Sequence, residues 1–168
     1  EIIGAISETY NPGTLTVDTW YRREVTSTLS GNSCPEITNV IRITVNNFDP
    51  GSITGDQTIC EGDTPAALGS VAATGDGTIG YQWKSSNDGV NYLDISGATN
   101  ETYAPGALTQ DTWYLRSVTS VLNGISCTKI TNSIRITVNN VNAGTIISDQ
   151  TICNGSDPVA FMSIVHGN

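Results

Sequence analysis

Residues 109–140, TQDTWYLRSVTSVLNGISCTKITNSIRITVNN, have an earlier copy at residues 16–47, TVDTWYRREVTSTLSGNSCPEITNVIRITVNN. One spacing holds throughout. Trp20 and Trp113 stand 93 positions apart (113 minus 20), as do Cys34 and Cys127, and Cys60 and Cys153. A fixed period of this kind marks an array of one structural unit. Residues 51–143 hold one complete period, residues 1–50 match the later part of a unit, and residues 144–168 match the opening part of a third. The expected organisation is therefore the C-terminal part of one repeat, a complete repeat, and the N-terminal part of the next, as in a slice of a longer repeat protein.

Within the complete period the pattern is that of strands. Residues 79–85 (IGYQWKS) place Tyr81 and Trp83 on one face and Gln82 and Lys84 on the other, the period-2 alternation of a half-buried strand. Asn87, Asp88 and Gly89 signal a hairpin. Residues 112–122 and 130–138 read as two long strands joined by a turn at Asn123 and Gly124. About seven short strands separated by turn residues, with no helical period, predict an all-β fold of tandem immunoglobulin-like antiparallel β-sandwiches in an elongated array. The expected core comprises Ile59, Leu68, Val71, Tyr81, Trp83, Leu93, Leu108, Tyr114, Val118, Ile134, Ile136 and Val138. Trp83 takes the place of the central Trp of such sandwiches. Tyr114 and its counterpart Tyr21 take that of the corner Tyr, whose hydroxyl bonds back to the preceding turn.

Strand phase separates inside from outside. Glu24 is costly to bury, so the face of Tyr21, Arg23 and Val25 turns inward and that of Trp20, Arg22 and Glu24 outward. Trp20 and Trp113 are then the candidate contact surface, for stacking on sugars or on a protein partner. Arg23 and Arg116 fall on the inner face, where they are expected near a sheet end, snorkelling or paired with a carboxylate. The short linkers at residues 46–51 and 139–144, one stiffened by Pro50, predict a semi-rigid rod.

The four cysteines are two sites, each seen twice. Cys60 is placed in the first strand and Cys127 just before the last, two strands that run parallel in a seven-strand sandwich. The expectation is a Cys60–Cys127 disulfide within the repeat, with Cys34 and Cys153 paired outside residues 1–168. Closing a loop of 67 residues (127 minus 60) is worth roughly 4 kcal/mol, and disulfides imply an oxidising, extracytoplasmic compartment.

Nothing in the repeat assembles a catalytic constellation. The only histidine, His166, lies outside the complete period, so no Ser–His or Cys–His pair can be built there. There is no phosphate loop and no EF-hand spacing. The expectation is a non-enzymatic chain without cofactor or bound metal, although Asp49 and Asp56 fall near a junction where calcium would sit. A net charge of −9 with only seven Lys and Arg argues against nucleic-acid and anionic-membrane partners, and no apolar run reaches the ~20 residues of a membrane helix.

The runs DQTICEGDTPAAL, YQW, DGVNY, TYAPGAL, DTWYLR and SCTKITNSIRITVNN resemble the Ig-like repeats of very large Bacteroidota (Flavobacterium-type) cell-surface proteins, including adhesins and gliding-motility proteins exported by type IX secretion. The resemblance covers essentially the whole chain and implies an extracellular, outer-surface location, a stalk built of repeats and no catalytic residues. The expected function is a disulfide-stapled, semi-rigid stalk for adhesion or gliding. Its partners would be neighbouring repeats and, beyond them, surface glycans or other surface proteins. The alternatives are a carbohydrate-binding module of a secreted polysaccharide-active protein, which the outward Trp would serve, and a subunit of a surface filament.

Overall fold

The computed structural model describes residues 1–165. These residues contain strands and no helix, so none of them forms a helix long and apolar enough to cross a membrane. The first block carries β1 (Thr19–Tyr21), β2 (Glu24–Leu29), β3 (Asn32–Ile37) and β4 (Ile41–Ile43). The complete period begins with β5 (Phe48–Asp49), β6 (Ser52–Thr54), β7 (Gln57–Cys60), β8 (Gly69–Val71) and β9 (Thr74–Gly75). It continues with β10 (Thr78–Ser86), β11 (Leu93–Asp94), β12 (Thr112–Leu122), β13 (Ile125–Ile130) and β14 (Ile134–Asn139). The last described strands are β15 (Thr145–Ile147) and β16 (Met162–Val165); His166 lies outside the described residues.

The main sheet of the complete period runs β11-β10-β12-β14-β7, with β13 also paired to β12. Opposite it lie the antiparallel pairs β6-β8 and β5-β9 and the bridge between Leu68 and Tyr103. Between the layers sit Trp83, Tyr114, Ile134 and Ile136 from the main sheet and Ile53 and Leu68 from the other side, ringed by Ile59, Ile95, Ala98, Tyr103 and Leu108. The arrangement is all-β and consistent with a β-sandwich. Trp83 is fully buried and its indole N–H donates to the Asn100 carbonyl, which removes the penalty for burying that donor.

Several sequence expectations need correction. The return strand is not continuous over residues 130–138. It is split into β13 and β14, and the gap has a purpose. Thr131 exchanges hydrogen bonds with the Arg116 backbone, and the Asn132 amide both donates to and accepts from the Ile53 backbone, tying the two layers together. Val71 is 58% exposed because the inward position on β8 belongs to Ser70, which serves Arg116. Leu93, on the two-residue edge strand β11, is 76% exposed, and Ile95 packs against the core in its place. Phe48, read as linker, is buried: it pairs with Gly75 and belongs to the complete period.

Candidate functional site

Trp113 projects from the outer face of β12, opposite Arg135 on β14. The Arg135 guanidinium lies 4.8 Å from the indole centroid, within cation–π range, and pairs with Asp111. Asp111 Oδ1 also accepts from the Val138 backbone N–H at 2.7 Å. Arg135, then the Val138 N–H, holds the Asp111 carboxyl below its ordinary range. The same set recurs one period earlier. Trp20 faces Arg42 at 5.1 Å, Arg42 pairs with Asp18, and Asp18 accepts from the Val45 N–H at 2.7 Å. The Asp18 carboxyl is likewise lowered, by the Val45 N–H first and Arg42 second. Asp and Arg stand 24 positions apart in both copies (42 minus 18 and 135 minus 111), a spacing that the sequence itself displays.

Both tryptophans thus stand on the outer face, as strand phase predicts, but Trp113 is not an open platform. Arg135 covers it, and Gly89 lies so close that a Cβ there would stand 3.3 Å from the indole Cε2 and Nε1. The loop bearing Gly89 is longer than a tight hairpin turn: pairing between β10 and β11 ends at Ser85 and Leu93. Asp88 organises the loop. It accepts from the Ser86 hydroxyl and from the Val90 and Asn91 backbone N–H groups, and from the Asn91 amide. These donors, the Ser86 hydroxyl foremost, hold its carboxyl well below the usual carboxylate range. Asp88 is therefore occupied in shaping the loop that covers Trp113. Among the described residues no loop covers Trp20, which is 58% exposed.

Arg116 departs furthest from expectation. It is fully buried, not snorkelling at a sheet end, and its partners are not carboxylates. Nη1 donates to Ser70 Oγ and to the Glu101 carbonyl, each at 2.6 Å. Nη2 donates to the carbonyls of Pro50 and Val71. The guanidinium lies 4.5 Å from the Tyr81 ring centroid and 5.8 Å from that of Trp83. Burial lowers its pKa, with Tyr81 and Glu101 opposing. Four acceptors from three separate segments converge on one cation, so Arg116 fixes how the opposite layer sits on the main sheet. Tyr114 is buried as expected, and burial, with Tyr103 beside it, pushes its hydroxyl up to about 12. Among the described residues that hydroxyl makes no hydrogen bond back to the corner. Asp111 ties the corner down instead.

At the junction between the first block and the complete period, Asn46, Asn47 and Phe48 of the expected linker are fixed to residues of the complete period. Asn46 Nδ2 donates to the carbonyls of Ser120 and Ile125, and its Oδ1 accepts from the Ser120 hydroxyl at 2.7 Å. The Asp76 N–H donates to the Asn47 carbonyl. Lys129 donates to the Phe48 carbonyl and lies 4.7 Å from the Phe48 ring centroid. A Cβ on Gly75 would stand 2.4 Å from Phe48 Cβ, so this close pairing requires glycine. A cleft of about 330 Å³ beside the junction is lined by Asp18, Arg42, Thr44, Asp76, Leu122 and Asn123. Asp49 and Asp56 do not converge on it: each accepts a backbone N–H, from Gly51 and Arg135 respectively. Among the described residues no three His, Cys, Asp or Glu side chains group as metal ligands.

The expected Cys60–Cys127 disulfide is not formed, and all four cysteines are free thiols. Cys60 is registered with Asn139 at the end of β14, whereas Cys127 is registered with Ser120 near the start of β13. Twelve positions of the return strand (139 minus 127) separate the two levels, roughly 40 Å of extended chain against a Cα limit of about 7 Å for a disulfide. The strands do run parallel, as expected. However, Cys60 ends its strand while Cys127 lies near the beginning of the return strand, so the two occupy opposite poles of the repeat.

The chain belongs to the family described as a domain of unknown function, DUF8696, which it matches over residues 1–47 and again over residues 49–140. The break between the two matches falls at Phe48, where the first block meets β5. No curated protein and no solved structure matches the chain.

Proposed function

We propose that the chain is a structural segment of a tandem array of immunoglobulin-like β-sandwiches. In this reading it forms a semi-rigid extracellular stalk at a bacterial outer surface, of the adhesion or gliding type, and performs no catalysis. One observation carries the proposal: the seam at residues 46–48. There the last strand of one repeat leads straight into β5 of the next, and the seam is closed by the Asn46 amide, the buried Phe48 ring and Lys129. A flexible tether would leave such polar groups to water. Fixing them to the next repeat removes the freedom that would let the repeats swing. The carbohydrate-binding alternative draws less support, because the indole of the complete repeat is covered by Arg135 and the Gly89 loop.

Small-angle scattering on chains lengthened by whole copies of residues 51–143 tests this reading. The maximum dimension should grow by a constant increment of roughly 40 Å per copy, the length of the paired β13–β14 path. A radius of gyration that follows compact-domain scaling as copies are added would overturn it. A glycan-array signal that disappears with Trp20→Ala or Trp113→Ala would favour the carbohydrate-binding alternative instead.

A further inference from the structure

The two cysteine sites lie at opposite poles of a repeat, and the structure shows what stands beside each. At one pole Cys127 is directly opposite Ser120 across the β12–β13 pair. Directly opposite residues share a face of the sheet with Cβ atoms about 5 Å apart. The Ser120 hydroxyl donates to the Asn46 side chain, and Asn46 also donates to the Ser120 and Ile125 carbonyls. The end of the preceding repeat is therefore docked on the hairpin that carries Cys127. At the other pole Cys60 is the parallel-strand neighbour of Asn139. Asn139 is Asn46 one period on (139 minus 93).

Placing these observations one period apart brings the two sites together. In a preceding repeat, the cysteine equivalent to Cys60 stands beside Asn46 as Cys60 stands beside Asn139, one strand spacing of about 4.8 Å away. Asn46 in turn touches Ser120, the cross-strand neighbour of Cys127. We propose that the disulfides of this array run between repeats: Cys60 of one repeat bonds to the residue equivalent to Cys127 in the repeat that follows. This inference rests on the array reading above. No two of Cys34, Cys60, Cys127 and Cys153 form such a pair. The partner of Cys60 falls at the position 93 beyond Cys127, and that of Cys127 at the position 93 before Cys60. Formation of each bond removes two thiol hydrogens and two electrons. The electrons pass by thiol–disulfide exchange to a small-molecule disulfide such as oxidised glutathione, which leaves as two thiols.

The connectivity has a mechanical consequence. A covalent path entering a repeat at Cys127 runs along β14 and the junction to Cys153, only 26 residues (153 minus 127), before the next bond carries it onward. Those residues span at most roughly 90 Å when fully extended, close to the length of the two folded repeats they traverse. Tension then passes along the return strands and the disulfides and bypasses the repeat cores. An oxidised array cannot release its 93-residue period, which would otherwise add on the order of 320 Å of chain per repeat.

The test uses two chains treated with oxidised glutathione. In the 168-residue chain, peptide mapping under non-reducing conditions should find no bond between Cys60 and Cys127; finding one overturns the proposal. The second chain is residues 1–143 followed by a further copy of residues 51–143, which keeps the period. It should form one bond, from Cys60 of the first copy to Cys127 of the second, leaving three of its five thiols titratable. Cys60→Ser in the first copy should abolish the bond. Pairing within repeats would instead leave the bond of the second copy intact, and that result would sink the proposal. Scattering from the same sample separates the two readings: an elongated particle with five free thiols overturns the disulfide and spares the array, whereas a compact particle overturns the array itself.

Discussion

Residues 16–47 and 109–140 carry nearly the same sequence in the same pairing and in different surroundings. Their registers coincide: Thr19 faces Ile43 as Thr112 faces Ile136, Trp20 faces Arg42 as Trp113 faces Arg135, and Ser27 faces Cys34 as Ser120 faces Cys127. Their burial does not. Ile41 is 57% exposed and Ile134 3%; Val25 is 48% exposed and Val118 fully buried. Among the described residues no layer faces the first block as Ile53, Leu68 and the Arg116 acceptors face the complete period. Hairpin register and the Asp–Arg–Trp network are thus local properties of the segment, whereas the hydrophobic stabilisation belongs to the closed two-layer unit.

Shortening the same side chain in both copies should give the largest contrast. Ile136→Ala removes a fully buried side chain and should lower unfolding stability by about 3 kcal/mol, read as a shift of the urea midpoint. Ile43→Ala, at a position 36% exposed, should move that midpoint far less. Equal shifts would mean that the first block has a packed core of its own. A similar contrast holds for the arginines. Arg116→Leu removes the donor to the carbonyls of Glu101, Pro50 and Val71 and to Ser70 Oγ, which keeps only its bond to the Glu101 carboxylate, and should cost about 2 kcal/mol. Arg23 is exposed and keeps one side-chain bond, to the Glu8 carbonyl at 2.9 Å; Glu8 is Glu101 one period earlier. Arg23→Leu should be close to neutral.

The seam between the two regions gives a smaller effect. Gly75→Ala would drive a Cβ into Phe48 and the Asn47 carbonyl. It should loosen the junction before it unfolds the repeat, at about 1 kcal/mol. The expected signature is faster proteolysis near residues 46–50 with little change in the main thermal transition. An unchanged cleavage rate would argue that the close pairing of Phe48 and Gly75 does not hold the junction.

What was legible in the sequence divides along the same line. Period, strand phase and the inward positions of Trp83, Tyr114, Val118, Ile134 and Ile136 follow from alternation within one segment, and these residues are buried. The outward placement of Trp113 was legible too, but not the Arg135 and Gly89 cover over it, which joins elements distant in sequence. Strand phase places Arg116 on the correct face, but its partners are not the carboxylate or solvent expected there. Its acceptors are chiefly backbone carbonyls, and carbonyls leave no mark on residue identity. The Cys60–Cys127 expectation used the correct relative direction of two strands and missed that the cysteines lie toward opposite ends of them. The structural roles of Asp18 and Asp111 were within reach, because their arginines repeat at the same spacing.

The smallest expected effect tests whether the Asp–Arg–Trp network is truly local. The carboxyls of Asp18 and Asp111 are both lowered from 3.8 in the folded chain. A folded pKa below the unfolded one means that the group contributes stability above the unfolded pKa and loses it as pH falls through the folded pKa. The contribution of Asp111 should therefore be complete above about pH 4 and fade below it. Because the carboxylates are solvent-accessible and salt screens them, the change should appear as a modest fall in Tm with a visible dependence on salt. Asp111→Asn should flatten that acid limb. Carboxyl titration by NMR reads the two aspartates separately. If hairpin register alone builds the network, Asp18 and Asp111 should both titrate below the ordinary Asp range, despite the open face of the first block. A depressed value at Asp111 with an ordinary one at Asp18 would show that the closed two-layer unit is needed to hold even this surface network in place.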